Sequence, residues 1–201
     1  MIRVLLADDQ ALVRGALSAM LNLESDIEVV AEVGSGDEVL AAAQKHRPDV
    51  ALLDVQMPGK DGLAAAAELR SAVPHCRVVM CTTFGRPGYL ARAMAAGAAG
   101  FVVKDAPPEQ LVDALRRVHN GLRVVDPALA AESLASGSSP LTDREREVLR
   151  AAADGATVSD VAKLLHLSEG TVRNHLSSAI GKTGARTRAE AAHIAEQRGW
   201  L

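Results

Sequence analysis

Ile2-Arg3-Val4-Leu5-Leu6-Ala7-Asp8-Asp9 opens the chain, an apolar run interrupted only by Arg3 that ends on two adjacent carboxylates. Four more runs share its character, at residues 27–33, 50–53, 78–81 and 100–103. All are short, rich in β-branched residues or leucine, and without strict alternation, the pattern of a parallel strand buried on both faces. Between and after them lie helical segments, at residues 11–23, 36–45, 62–72, 87–96 and 107–120, with Pro48, Pro74 and Gly97 between elements and Pro107-Pro108 suited to a first turn. Such alternation predicts an α/β fold, a doubly wound five-stranded parallel sheet with right-handed crossovers.

In a sheet of that kind the C-terminal ends of the strands share one edge, so residues distant in sequence converge there. Asp8-Asp9 follow the first run, Asp54 the third, Thr82 the fourth and Lys104 the fifth. Three carboxylates suit a hydrated magnesium ion, which takes oxygen ligands and commonly one or two carboxylates. Asp54 is also a candidate nucleophile toward phosphorus, forming an aspartyl phosphate. Lys104 would neutralise the oxygens of that group and Thr82 would donate a hydrogen bond to it.

The 201-residue length accommodates two small domains, each long enough for a core. With four aromatic residues in all, those cores must be built from Ala, Val and Leu. No apolar stretch approaches the length of a membrane span, and the first run meets Asp8-Asp9 too early for a signal peptide. The expectation is a soluble, cytoplasmic protein with no membrane insertion. Cys76 and Cys81 are read as buried or incidental thiols, since an odd separation on one strand would point them to opposite faces.

Net charge is −3 overall but is divided unevenly. Residues 1–139 carry 13 Lys+Arg against 17 Asp+Glu, whereas residues 140–201 carry 9 against 8. Residues 170–189 hold Arg173, Lys182, Arg186 and Arg188 and no acidic residue, a local basic surface that the total conceals.

We divide the chain into an α/β domain over 1–120, a linker over 121–139, and a helical domain over 140–201. The linker contains Ser136-Gly137-Ser138-Ser139-Pro140, a mobile composition. Beyond it, Thr142 with Glu145 and Thr157 with Asp160 form capping-box patterns, and Ser168 suits a third N-cap. Helices are expected at 143–153, 158–165, 169–182 and 188–198. The turn His166-Leu167-Ser168 gives a helix-turn-helix. In its second helix Val172, Leu176 and Ile180 form an apolar stripe, and Arg173, Asn174 and Ser177 can read base edges. Thr171, Lys182, Arg186 and Arg188 are candidate phosphate contacts, which fix register and not sequence.

The runs Val4-Leu5-Leu6-Ala7-Asp8-Asp9, Leu52-Leu53-Asp54-Val55-Gln56-Met57-Pro58-Gly59-Lys60-Asp61-Gly62, Val79-Met80-Cys81-Thr82 and Gly97-Ala98-Ala99-Gly100-Phe101-Val102-Val103-Lys104 together resemble the response-regulator receiver domain. The resemblance implies strand order 2-1-3-4-5. It makes Asp54 the phosphoacceptor, has Asp8, Asp9, Asp54 and the Gln56 backbone carbonyl hold Mg2+, and pairs Thr82 with Phe101 as the switch. Asp105 stands where many receivers have proline. Residues 140–201 are similar to the LuxR-type helix-turn-helix through Leu141-Thr142-Asp143-Arg144-Glu145-Arg146-Glu147-Val148-Leu149 and Thr171-Val172-Arg173-Asn174-His175, with Ser159-Asp160-Val161-Ala162 as a variant of the usual pattern.

Together the halves resemble a two-component response regulator of the NarL/FixJ type, and the C-terminal ending is similar to the DesR-like branch. What this implies is phosphorylation by a sensor histidine kinase, homodimerisation, binding to promoter DNA and contact with RNA polymerase. A phosphohydrolase on a related sheet is the enzymatic alternative. It would want a carboxylate two residues after Asp54, where Gln56 stands, so the chain is read as a non-enzyme. A DNA-binding regulator that answers to a ligand without phosphorylation is the other alternative.

Overall fold

The five apolar runs form strands β1 (Ile2–Ala7), β2 (Ile27–Val33), β3 (Val50–Asp54), β4 (Arg77–Thr82) and β5 (Gly100–Val103). The protein is described by a computed structural model covering residues 1–83, 87–127, 129–131, 139–153 and 155–201. Helices α1 (Ala11–Leu21), α2 (Gly36–His46), α3 (Gly62–Ala72), α4 (Pro87–Ala96) and α5 (Pro108–His119) alternate with the strands. All strand pairs are parallel and the order is β2-β1-β3-β4-β5, extended by a short sixth strand, β6 (Val124–Val125), beside β5. The sixth strand corrects the five-stranded expectation. Two residues are too few to show periodicity, and they fall in the stretch read as a linker; residues 132–138 of that stretch lie outside the described residues.

Side-chain alternation divides the sheet into two buried faces. Val4, Leu6, Val50, Leu52, Val79 and Cys81 share one core with Leu21 of α1 and with Leu111, Leu115 and Val118 of α5. The intervening residues Leu5, Ala7, Ala51, Leu53 and Met80 turn to the other face and are equally buried. Arg116 of α5 fastens this layer with a bidentate contact to Asp26, at 2.6 and 2.9 Å, and a third bond to Glu24. Both cysteines are buried free thiols, pushed up to about 12 by burial, so neither offers a reactive thiolate.

The chain forms two compact units, and most of residues 1–131 belong to the first. The second contains α6 (Asp143–Ala153), α7 (Val158–Leu164), α8 (Glu169–Thr183) and α9 (Arg188–Gln197). Thr157 and Asp160 complete the capping box of α7, and the Ser168 side chain caps α8 by accepting from the Thr171 amide. His166, between α7 and α8, takes a left-handed conformation that turns the chain. The core joins Val148, Leu149, Val161, Ala191, Ala195 and Trp200 to Val172, Leu176 and Ala179 of α8. Ala179 thus takes an inner position while Ile180 is only half-buried, which rotates the expected stripe slightly.

Candidate functional site: an acidic pocket and a basic helix

Asp8 directly follows β1, and Asp54 is the last residue of β3. The parallel register of the two strands therefore brings their carboxylates to one edge. Asp8 and Asp54 are buried, Asp9 is exposed, and a carboxylate oxygen from each lies within 4.8 Å of the others. Each buried carboxylate is oriented by backbone: the Gln10 amide donates to Asp8 Oδ1 at 2.9 Å, and the Val55 amide to Asp54 Oδ1 at 2.8 Å. Lys104 reaches in from the end of β5, its Nζ 2.7 Å from Asp8 Oδ2 and 3.1 Å from Asp54 Oδ2. The Lys104 amide donates to the Thr82 carbonyl at 2.7 Å, which holds the lysine beside the end of β4.

Burial pushes the Asp54 carboxyl above its ordinary range, against the opposing pull of Lys104. For Lys104, burial alone would lower the ammonium, but its hydrogen bond to Asp8 and the charge of Asp54 outweigh that and raise it. The three carboxylates outnumber Lys104, the one cation paired with them among the described residues. An all-oxygen donor set with uncompensated charge suits a hard divalent cation.

The structure gathers Asp8, Asp9, Asp54 and Lys104, with Thr82 buried at the adjoining strand end and Gln56 exposed on the loop after β3. Phe101 lies on β5 opposite Met80 and is 2% exposed, so its ring is packed inside. Sequence reasoning missed two supporting residues. Arg14 of α1 donates from its guanidinium to the Asp8 carbonyl, and its only signal was a lone basic residue in an apolar helix. Gly62 is the other: a Cβ there would lie 1.8 Å from the Asp54 carbonyl oxygen. Gly62→Ala is accordingly expected to displace the loop that frames Asp54 and to lower stability by about 1–3 kcal/mol. Chemical denaturation would measure this; an unchanged midpoint would show that the loop yields freely.

In the second unit Arg173, Asn174 and Ser177 are exposed, away from the buried stripe of α8. Arg173 is paired with Glu169 one turn earlier, at 2.7 Å. Thr171 is half-buried with its hydroxyl 2.8 Å from that of Ser168, and the Arg186 side chain is exposed. Two side chains expected at phosphates are engaged within the unit. Lys182 Nζ binds both oxygens of Glu145, at 2.9 and 2.7 Å, and Arg188 donates to the carbonyls of Ala156 and Gly155. Glu145 also accepts from the Ser178 hydroxyl at 2.6 Å and from the Thr142 amide at 2.7 Å. Its capping role was legible in the sequence, but partners 33 and 37 residues away were not.

A parallel sheet with a carboxylate cluster and a lysine on its C-terminal edge, followed by a helix-turn-helix unit, defines a regulator with a signal-receiving part and a DNA-binding part. Residues 4–116 match the response regulator receiver domain, and residues 139–195 match the bacterial regulatory proteins of the luxR family. The chain belongs to the response regulators that join these two domains. It is 44% identical over 201 residues to the transcriptional regulatory protein DesR of Bacillus subtilis, covering 100% of both chains. It is 34% identical over 206 residues to the DNA-binding transcriptional activator DevR/DosR of Mycobacterium tuberculosis, covering 98% and 95%. Among solved structures, the response regulator ChrA of a heme-sensing two-component system aligns with TM-score 0.59 at 33% identity, covering 100% and 98%. The two-component response regulator RcsB in complex with DNA aligns at 0.66 with 25% identity, covering 98% of each.

Proposed function

We propose that Asp54 accepts a phosphoryl group from a sensor histidine kinase and that this modification controls dimerisation and sequence-specific promoter binding. The convergence of Asp8, Asp9, Asp54 and Lys104 on one strand edge supports this reading most directly. Asp8, Asp9, Asp54 and the Gln56 carbonyl would hold Mg2+, which supplies charge neutralisation for the incoming phosphoryl oxygens. In the transfer an Asp54 carboxylate oxygen forms a bond to phosphorus as the phosphorus–nitrogen bond to the kinase histidine breaks. Lys104 then moves its contact from the Asp54 carboxylate to a phosphoryl oxygen, and Thr82 donates its hydroxyl to another. Phe101 packs beside this rearrangement and reports it to the outer face of β5. Gln56 provides no carboxylate to activate water, which favours a switch over a turnover enzyme.

Among the described residues no helix is long and apolar enough to cross a membrane, and we place the protein in the cytoplasm with its kinase and DNA. In the DNA complex α8 would enter the major groove, with Arg173, Asn174 and Ser177 at base edges and Thr171 and Arg186 at the backbone. We assign Lys182 and Arg188 to holding the domain together, and contact with RNA polymerase to the DNA-bound dimer. The boundaries we propose are a receiver over 1–120, a linker over 121–139 and a DNA-binding domain over 140–201.

Beryllofluoride with magnesium, a mimic of the phosphoryl group, is expected to raise the dimer fraction and the DNA affinity together. Unchanged sedimentation and unchanged DNA binding would favour a regulator that works without phosphorylation. Arg173→Ala is expected to relax preference at one base position by about 1–3 kcal/mol. An unaltered motif in a binding-site selection would show that another residue reads that base.

A further inference from the structure

At the end of the sheet opposite the acidic pocket, basic side chains gather where β4, β5 and β6 begin. The segments leading into β4, β5 and β6 surround a cavity of about 410 Å³ lined by Arg70, Arg77, Arg123 and His75, with no carboxylate in its wall. The concentration is local, because residues 1–139 as a whole hold more acidic than basic side chains. Three other arginines of the same unit are matched to acids, Arg116 to Glu24 and Asp26, Arg117 to Asp113, and Arg14 to Glu32, while Arg3 donates to the His46 carbonyl. Among the described residues Arg77 and Arg123 have no such partner. Asp49, whose charge is felt at Cys76, accepts from the Arg3 amide and does not line the cavity.

Two glycines lie beside the basic side chains, and at Gly97 the missing Cβ is what lets Arg70 approach. Gly97 has a left-handed φ of 100°, and a Cβ there would lie 2.5 Å from Arg70 Cδ. Gly121 has a φ of 89°, and its missing Cβ would sit 3.5 Å from Arg77 Nη2. Arg70 thus packs against bare backbone in the cavity wall. Guanidinium groups match phosphate oxygens two at a time. A concave site of this volume takes a small molecule and not a duplex.

We propose that this cavity binds a small soluble anion carrying two or more linked phosphoryl groups, at a site separate from the carboxylate pocket. One phosphoryl group would occupy one or two forks, and three arginines from three segments call for more charge than that. β4 connects the two ends, with Arg77 at its start and Thr82 at its finish, roughly 16–17 Å apart for five steps along a strand.

The test is calorimetric titration of the full-length protein with inorganic pyrophosphate in magnesium-free buffer, where the negative pocket repels anions. The expected result is saturable 1:1 binding that weakens as salt rises, as for exposed charges, and that falls by about tenfold or more in an Arg77→Gln/Arg123→Gln double variant. These side chains are exposed, and an unchanged dimerisation response to beryllofluoride would show the variant folded. Absence of saturable binding, or equal affinity in the double variant, would overturn the proposal. A parallel arm with phosphatidylglycerol vesicles separates the two sources of phosphate. Arginine-dependent cosedimentation without pyrophosphate binding would assign the site to a membrane surface and overturn the soluble-ligand reading.

Discussion

Asp54→Ala is expected to reduce labelling by acetyl phosphate to background while leaving the receiver folded. Acetyl phosphate transfers its phosphoryl group as acetate leaves, so the experiment isolates the acceptor from any kinase. Asp54 is well placed for the role because it is buried, oriented by the Val55 amide and close to Lys104. Burial raises its carboxyl in the fold, so at neutral pH the folded state disfavours the ionised group and its removal does not sacrifice a stabilising charge. Lys104 also pairs with Asp8, at 2.7 Å, a contact that the substitution does not touch. Mass spectrometry of the labelled protein decides the matter. Persistent modification at Asp8 or Asp9 would transfer the acceptor role to that residue.

The second large effect concerns Glu145→Gln, which is expected to destabilise the DNA-binding unit by about 2–3 kcal/mol near neutral pH. Burial by itself would raise the Glu145 carboxyl, but bonds from Lys182, Ser178 and Thr142 outweigh it and hold the group at about 2 against an ordinary 4.5. Each unit of such a difference corresponds to about 1.36 kcal/mol, and we discount the total because Lys182 is 35% exposed and partly screened. The folded carboxyl is the stronger acid, so its contribution is complete above pH 4.5 and disappears as pH falls through about 2. Wild type and variant should therefore differ by a constant amount at neutral pH and converge in acid. Calorimetry across that range measures the difference. A gap that is flat down to pH 2 would show that packing, not charge, carries the effect.

How far the sequence could be read depended on the range of the interaction involved. β1 was legible because Ile2–Ala7 is apolar apart from Arg3 and Asp8-Asp9 end it abruptly, and the same contrast placed Asp54, Thr82 and Lys104 at the other strand ends. Local caps were legible too: Ser168 and Thr157 act within three residues of their own positions. Val124–Val125 was not legible as a strand, because only its pairing with Gly100 and Phe101 defines it. Nor was the pairing of Lys182 with Glu145, since a lysine at the end of an exposed helical face has the same sequence signature whether it meets DNA phosphate or a distant carboxylate. Arg188 was hidden for the same reason: its partners are backbone carbonyls at positions 155 and 156.

The clamp among Glu145, Ser178 and Lys182 is made by α6 and the C-terminal half of α8, while Arg173, Asn174 and Ser177 take no part in it. If α8 reads base edges through those three side chains, as proposed, fold maintenance and base reading fall to different side chains of one helix. Substitution at those outward positions is then expected to leave the domain folded, so on the proposed reading a duplicated copy of this regulator can acquire a new operator through two or three changes on α8. An engineer can exchange the same positions between relatives and expect a folded product.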